Sequence, residues 1–226
     1  MMLLLLLFSV DVQAVEIASV AIPPSVQVEN KTLHLNGAGI RSKFFFDIYI
    51  AALYLEKPSA DDRVILDSHR NKRVSMFILY HEVGKERLIQ GWESGFKKNL
   101  TDQQLLDLQG RLDRFNAFFV TAHQGDQIDF DFLADGSTRM FFNDVQRGVI
   151  EGYDFQQALL SIWLGSKPAD KSLKEQLLSR ANCKTRERRS AAPLWPISAL
   201  LFAPWNHHAP HSTSKMDSKW DCRSST

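Results

Sequence analysis

The chain has 226 residues, 44% apolar and 23% charged, which excludes a disordered, collagenous or coiled-coil protein and fits one globular domain with a full core. Its 27 Lys and Arg against 26 Asp and Glu leave a net charge of +1, so no global field draws it to nucleic acid. Both cysteines, Cys183 and Cys222, fall in the last fifth of the chain, which excludes a disulfide framework or thiolate metal site for everything before them.

The uncharged, leucine-rich run Met1 to Phe8, followed by the small-residue pattern Val12-Gln13-Ala14, predicts a signal peptide over 1–14 and a periplasmic or secreted protein. The run is shorter than the roughly 20 residues a membrane-spanning helix needs, so no stable span is expected. Val26 to Val28 and Thr32 to Leu35, separated by Glu29-Asn30-Lys31, predict a hairpin, after which Gly37-Ala38-Gly39 breaks the pattern. Phe44 to Phe46 and Ile48 to Leu55 read as central sheet, ending at Glu56-Lys57-Pro58. Asp61 to Ser68 is a short helix or loop, and Arg73 to Tyr80 a strand with Val74, Met76 and Ile78 on one face.

The period then changes. Leu88, Trp92, Phe96 and Leu100 recur every four residues, which predicts a helix from about Lys85 to Asn99. Thr101 and Gln104 form a capping-box pattern for a second helix, from Asp102 to about Phe118, with Leu105, Leu108, Leu112, Phe115 and Phe119 as its buried stripe. Gln127 to Leu133 and Thr138 to Phe142 flank Asp135-Gly136, a strong hairpin signal. Tyr153 to Leu164 reads as a helix capped by Gly165, and Lys167-Pro168-Ala169-Asp170 leads into a last helix through Leu173, Leu177 and Leu178. Segregated runs of strands and helices predict α+β, an antiparallel sheet with helices on one face. Residues 180–226, with clustered Arg, scattered Pro and no period, are read as a disordered or non-homologous tail outside a domain over 15–179.

Dinucleotide, phosphate-loop, zinc-protease and serine-hydrolase motifs are all missing from the sequence. His207, His208 and His211 sit in the tail, and His34, His69 and His123 stand alone, so no metal site is expected. Arg41 lies just before the most apolar part of the sheet, and a guanidinium there needs an anion, either Asp47 or the carboxylate or phenolate of a ligand. Tyr49 and Tyr80 can add hydroxyl groups to the same wall. Tyr80-His81-Glu82 ends a strand directly before the helix with Arg87 and Trp92, a candidate pocket edge.

Leu35-Asn36-Gly37-Ala38-Gly39-Ile40-Arg41 and Asp47-Ile48-Tyr49-Ile50-Ala51-Ala52-Leu53-Tyr54-Leu55-Glu56 resemble the chalcone isomerase superfamily, in its bacterial chalcone isomerase-like branch, over about Val15 to Leu178. The resemblance implies an open-faced sandwich, a large antiparallel sheet covered by helices. In the plant isomerases of this superfamily an arginine holds the substrate oxyanion while a threonine and a tyrosine order water. The arginine carries over onto Arg41, but the threonine position holds Tyr49 and the tyrosine position falls near Arg87. The nearby lysine and asparagine positions fall near Gln90 and Ser94, and the late Ser/Thr position at Gln156 or Gln157. Losing donors worth about 3 to 4 kcal/mol each predicts a non-catalytic protein.

Non-enzymatic plant relatives are similar to fatty-acid binders, so the leading expectation is an exported protein that takes an apolar acid into a cleft between sheet and helices. Arg41 would pair with the carboxylate, Tyr49, Tyr80, Arg87 and Trp92 would complete the site, and Phe44, Phe46, Leu88, Trp92 and Phe96 would line the chain. No cofactor is expected on this reading. The first alternative is a haem or other tetrapyrrole protein with His81 as axial ligand and Arg41 or Arg87 on the propionates. The second is an isomerase, an intramolecular lyase acting on a phenolic substrate. Partners beyond a small apolar or amphipathic ligand, and the oligomeric state, stay open.

Overall fold

The computed structural model describes residues 14–179. Residues 1–13 of the leader expected over 1–14, both cysteines and the tail histidines lie outside the described residues. Seven strands form one antiparallel sheet: β3 (Ser25–Val28), β4 (Lys31–Lys43), β5 (Phe46–Leu55), β6 (Lys72–Ile78), β9 (Gln127–Phe132), β10 (Ser137–Phe142) and β11 (Val145–Glu151). Their spatial order is β11-β10-β9-β6-β5-β4-β3, so the two longest strands, β4 and β5, run side by side. Two small pairs stand apart, β1 (Val15–Ile17) with β2 (Val20–Ile22), and β7 (Glu82–Val83) with β8 (Ala122–His123). The helices are α1 (Asp62–Leu66), α2 (Lys85–Asn99), α3 (Asp102–Ala117), α4 (Tyr153–Leu164) and α5 (Lys171–Leu177). The α+β expectation holds, as a curled sheet with its helices on one side.

Strand alternation divides β5 between two cores. Tyr49, Ala51, Leu53 and Leu55 face the helices, together with Val74, Met76 and Ile78 of β6 and Ile128, Phe130 and Phe132 of β9. Against them pack Leu88, Trp92 and Phe96 of α2, Leu108, Leu112 and Phe115 of α3, and α4, eight of whose residues are buried. On the far side Ile50, Ala52 and Tyr54 meet Leu33 and Leu35 of β4 and Ile22 of β2. That far side also carries the bidentate pair of Arg73 with Asp131, at 2.5 and 2.7 Å.

Gly37-Ala38-Gly39 does not break the sheet; it lies inside β4. The chain bulges at Asn36, where the pairing of Leu35 with Tyr54 steps directly to Gly37 with Leu53. The extra residue turns Gly37, Gly39 and Arg41 to the helix side, opposite Leu53, Ala51 and Tyr49. Asn36 itself is fully buried, donating to the carbonyls of Ser59 at 2.9 Å and Leu177 at 2.8 Å, and accepting from the Ser59 amide at 2.8 Å. The glycines admit α5: a Cβ on Gly37 would run into the carbonyl oxygen of Gln176, and one on Gly39 into the Gln176 side chain.

Helix ends follow the sequence closely. The Thr101 hydroxyl accepts from the Gln104 amide while the Gln104 side chain accepts from the Thr101 amide, a complete capping box. Asp170 caps α5 through the Leu173 amide at 3.0 Å. Gly165 ends α4 without the left-handed turn expected of a glycine cap; its φ is −68°, and a Cβ there would press on Asn99 and Ser161. The Phe44 to Phe46 stretch, expected as central sheet, is instead the end of the β4–β5 hairpin, with Phe44 and Phe45 in the turn.

Candidate functional site

The bulge at Asn36 of β4 decides where Arg41 goes. It leaves Arg41 in the helix-side register opposite Tyr49, and a second irregularity follows just beyond, where Ile48 of β5 is the extra residue between the Arg41–Tyr49 and Ser42–Asp47 pairs. The guanidinium carbon lies 5.5 Å from the centre of the Tyr49 ring. Asp47, the internal anion the sequence offered, is engaged elsewhere, accepting from the Ser42 hydroxyl at 2.6 Å. Among the described residues Arg41 makes no ion pair.

Inward from Arg41 the contacts run through aromatic side chains. Tyr49 is 3% exposed and its hydroxyl accepts from Trp163 Nε1 of α4 at 3.2 Å. Burial pushes the phenol above its ordinary range, against the charge of Arg41 and the Trp163 bond, so Tyr49 is neutral at physiological pH. Trp163 meets Trp92 of α2 edge to face at 5.5 Å, and Trp92 also packs on Phe119 at 5.6 Å and Phe130 at 5.5 Å. Trp92 is 4% exposed, yet its Nε1 has no hydrogen-bond acceptor among the described residues. A buried donor left unpaired costs about 1 to 3 kcal/mol.

Tyr80, His81 and Arg87 form a second group. Tyr80 is half-buried and its amide donates to the carbonyl of Ile48, which places it beside the strand residue preceding Tyr49. Tyr80, the exposed His81 and the exposed Arg87 line an open depression of about 500 Å³ with Glu82, Gly84 and Glu86. The imidazole of His81 lies against the Tyr80 ring, centres 4.7 Å apart.

The expected chain-lining residues are not brought together. Leu88, Trp92 and Phe96 sit in the closed core under α2, whereas Phe44 and Phe46 are 87% and 56% exposed at the hairpin end. Both residues that could stand at the late Ser/Thr position of the isomerase pattern have structural work. Gln156 is buried and donates to the carbonyls of Leu133 and Ser137, pinning α4 to the β9–β10 turn; Gln157 reaches the Leu66 carbonyl. Trp163, the donor to Tyr49, escaped the sequence reading because eight of the twelve residues of α4 are buried and nothing in its pattern sets one of them apart. Among the described residues no three His, Cys, Asp or Glu are grouped to hold a metal ion, and no helix is long and apolar enough to cross a membrane.

A curled antiparallel sheet covered on one side by helices, with an arginine at its rim that makes no ion pair among the described residues, defines an open-faced sandwich. The chain belongs to the chalcone isomerase-like family, whose model matches residues 14–179. Among solved structures it is similar to a fatty-acid binding protein of Arabidopsis thaliana, with a TM-score of 0.60 and 14% identity over 73% of this chain and 95% of that one, a likeness of fold. No protein of curated function matches it in sequence.

Proposed function

We propose that this protein binds an apolar acid such as a fatty acid without transforming it, holding the carboxylate at Arg41. The observation that carries the reading is a half-buried guanidinium, turned to the helix side by the bulge at Asn36, with no carboxylate of its own among the described residues. Trp92 Nε1, buried and without an acceptor, marks the inner end of the same line of side chains from Arg41 through Tyr49 and Trp163. Opening along that line would give a chain of methylenes an aromatic wall, and the carboxylate or a bound water an indole donor. The similar fold of the plant fatty-acid binding protein supports the same class of ligand. Against catalysis stands the neutral, buried Tyr49 at the threonine position and the structural engagement of Gln156.

Export through the Met1 to Ala14 leader belongs to the same proposal, supported by the apolar run and Val12-Gln13-Ala14. Expression of the full chain in a bacterium, with no acid added, tests it. A periplasmic protein beginning at Val15 and carrying an added native mass of fatty-acid size, lost in Arg41→Ala while the melting temperature holds, is the expected result. A Soret band lost in His81→Ala would replace the proposal with the tetrapyrrole reading. Flavanone formation from a chalcone, lost in Arg41→Ala, would replace it with isomerase activity.

A further inference from the structure

The β4–β5 hairpin ends in three consecutive phenylalanines, 87%, 97% and 56% exposed at Phe44, Phe45 and Phe46. Folding alone gives no reason for this, since an ordinary two-residue hairpin end takes Asn or Gly. Phe44 has φ +57°, in the left-handed region that bulky side chains rarely occupy. The turn therefore accepts backbone strain with two large apolar side chains directed at solvent, and strain of this kind collects where function needs it.

Behind the tip the chemistry is graded. The Phe46 ring meets Tyr80 edge to face at 5.7 Å, giving the apolar end an amphipathic aromatic neighbour. Lys43, exposed and adjacent to Phe44, and the half-buried Arg41 two residues further back are the cations at this end of the hairpin, against the single carboxylate of Asp47. An apolar end, then a tyrosine, then an excess of cations along one protruding element is the order in which a bilayer presents hydrocarbon, interface and anionic headgroups. We propose that the Phe44–Phe46 tip inserts into an anionic lipid bilayer, with Tyr80 at the interface and Lys43 and Arg41 at headgroup level. This docking does not depend on the acid-binding reading: vesicles free of fatty acid suffice to test it, and either proposal can fail alone.

The test uses the full chain carrying Phe45→Trp as reporter, mixed with vesicles of phosphatidylcholine and phosphatidylglycerol, some with brominated acyl chains. The reporter indole should shift to shorter wavelength and be quenched by brominated lipid, beyond the quenching of the wild-type chain. Phe44→Ser with Phe45→Ser should weaken vesicle co-sedimentation about tenfold or more, with an unchanged melting temperature, while Leu106→Ser, at an exposed leucine away from the tip, leaves it unchanged. An unquenched reporter overturns the proposal, as does a double variant that sediments like wild type. A wild-type dimer that the double variant converts to monomer, with no vesicle binding by either, assigns the tip to self-association and also overturns it.

Discussion

At the scale of single residues, the buried indole of Trp92 separates a structural from a ligand-directed role. If its Nε1 served packing alone, replacing the ring by phenylalanine would remove a costly unpaired donor together with part of the aromatic contact area, two effects of opposite sign. Trp92→Phe is expected to keep its urea midpoint close to wild type yet to lose bound acid severalfold in native mass spectrometry. Equal retention of the acid would remove Trp92 from the site. That Arg41 and Tyr49 share one wall was legible from the sequence, and the pairing of β4 with β5 puts them on one face. Trp163 and the exposed phenylalanines were not. A strand and a hairpin end share the same β-forming residues, and nothing local in Lys43-Phe44-Phe45-Phe46 announces that the chain reverses there.

Among the elements, α5 against β4 shows how a short motif serves the fold. The helix approaches so closely that its backbone occupies the space of a Gly37 side chain, whereas at Gly39 the obstacle is the Gln176 side chain, its flexible amide end nearest and its Cβ at 2.8 Å. Gly37→Ala is therefore expected to destabilise by about 2 kcal/mol or more, in the range of overpacked cores, because neither β4 nor α5 can step aside. Gly39→Ala should cost less, and Gln176→Ala should restore part of that loss by removing the amide end while its Cβ stays; urea unfolding of the three variants checks the order. Equal costs at both glycines would mean that α5 moves as a body. The helices α2, α3 and α4 could be read in advance because their apolar period and the Thr101 box are local signals. The edge strand β11 could not: of its seven residues Ile150 alone is buried, so no alternation marks it. The glycine motif was readable as a signature but not as a strand, since its reason lies in α5, well over a hundred residues further along the chain.

For the molecule as a whole, the pH profile of stability follows from which charges folding buries. Asp62 and Asp154 are held below the usual carboxylate range by Lys174 and Arg111, so their contribution is present near neutrality and is lost as the pH falls through their folded values. These pairs are partly exposed, which keeps each small. The alkaline side is set by Lys72, whose side chain is enclosed and donates to the carbonyls of Ser68 and Arg70. Burial lowers its ammonium from the ordinary 10.5 to about 8, partly opposed by Glu56. Below pH 8 the group is charged in both states and the fold carries the full cost of burying it. Between about 8 and 10.5 the unfolded chain binds more protons than the folded one, so stability rises with pH, by at most roughly 1.4 kcal/mol per unit. Tyr49 and Tyr54, both raised from 10.0 by burial, act in the opposite sense once unfolded tyrosines ionise, so the window to measure is pH 8 to 10. Urea midpoints of wild type and Lys72→Met at pH 7, 8.5 and 10 should converge or cross in favour of wild type as the pH rises. Parallel midpoints across that range would show that Lys72 keeps its charge in the folded protein, stabilised by the carbonyls it touches.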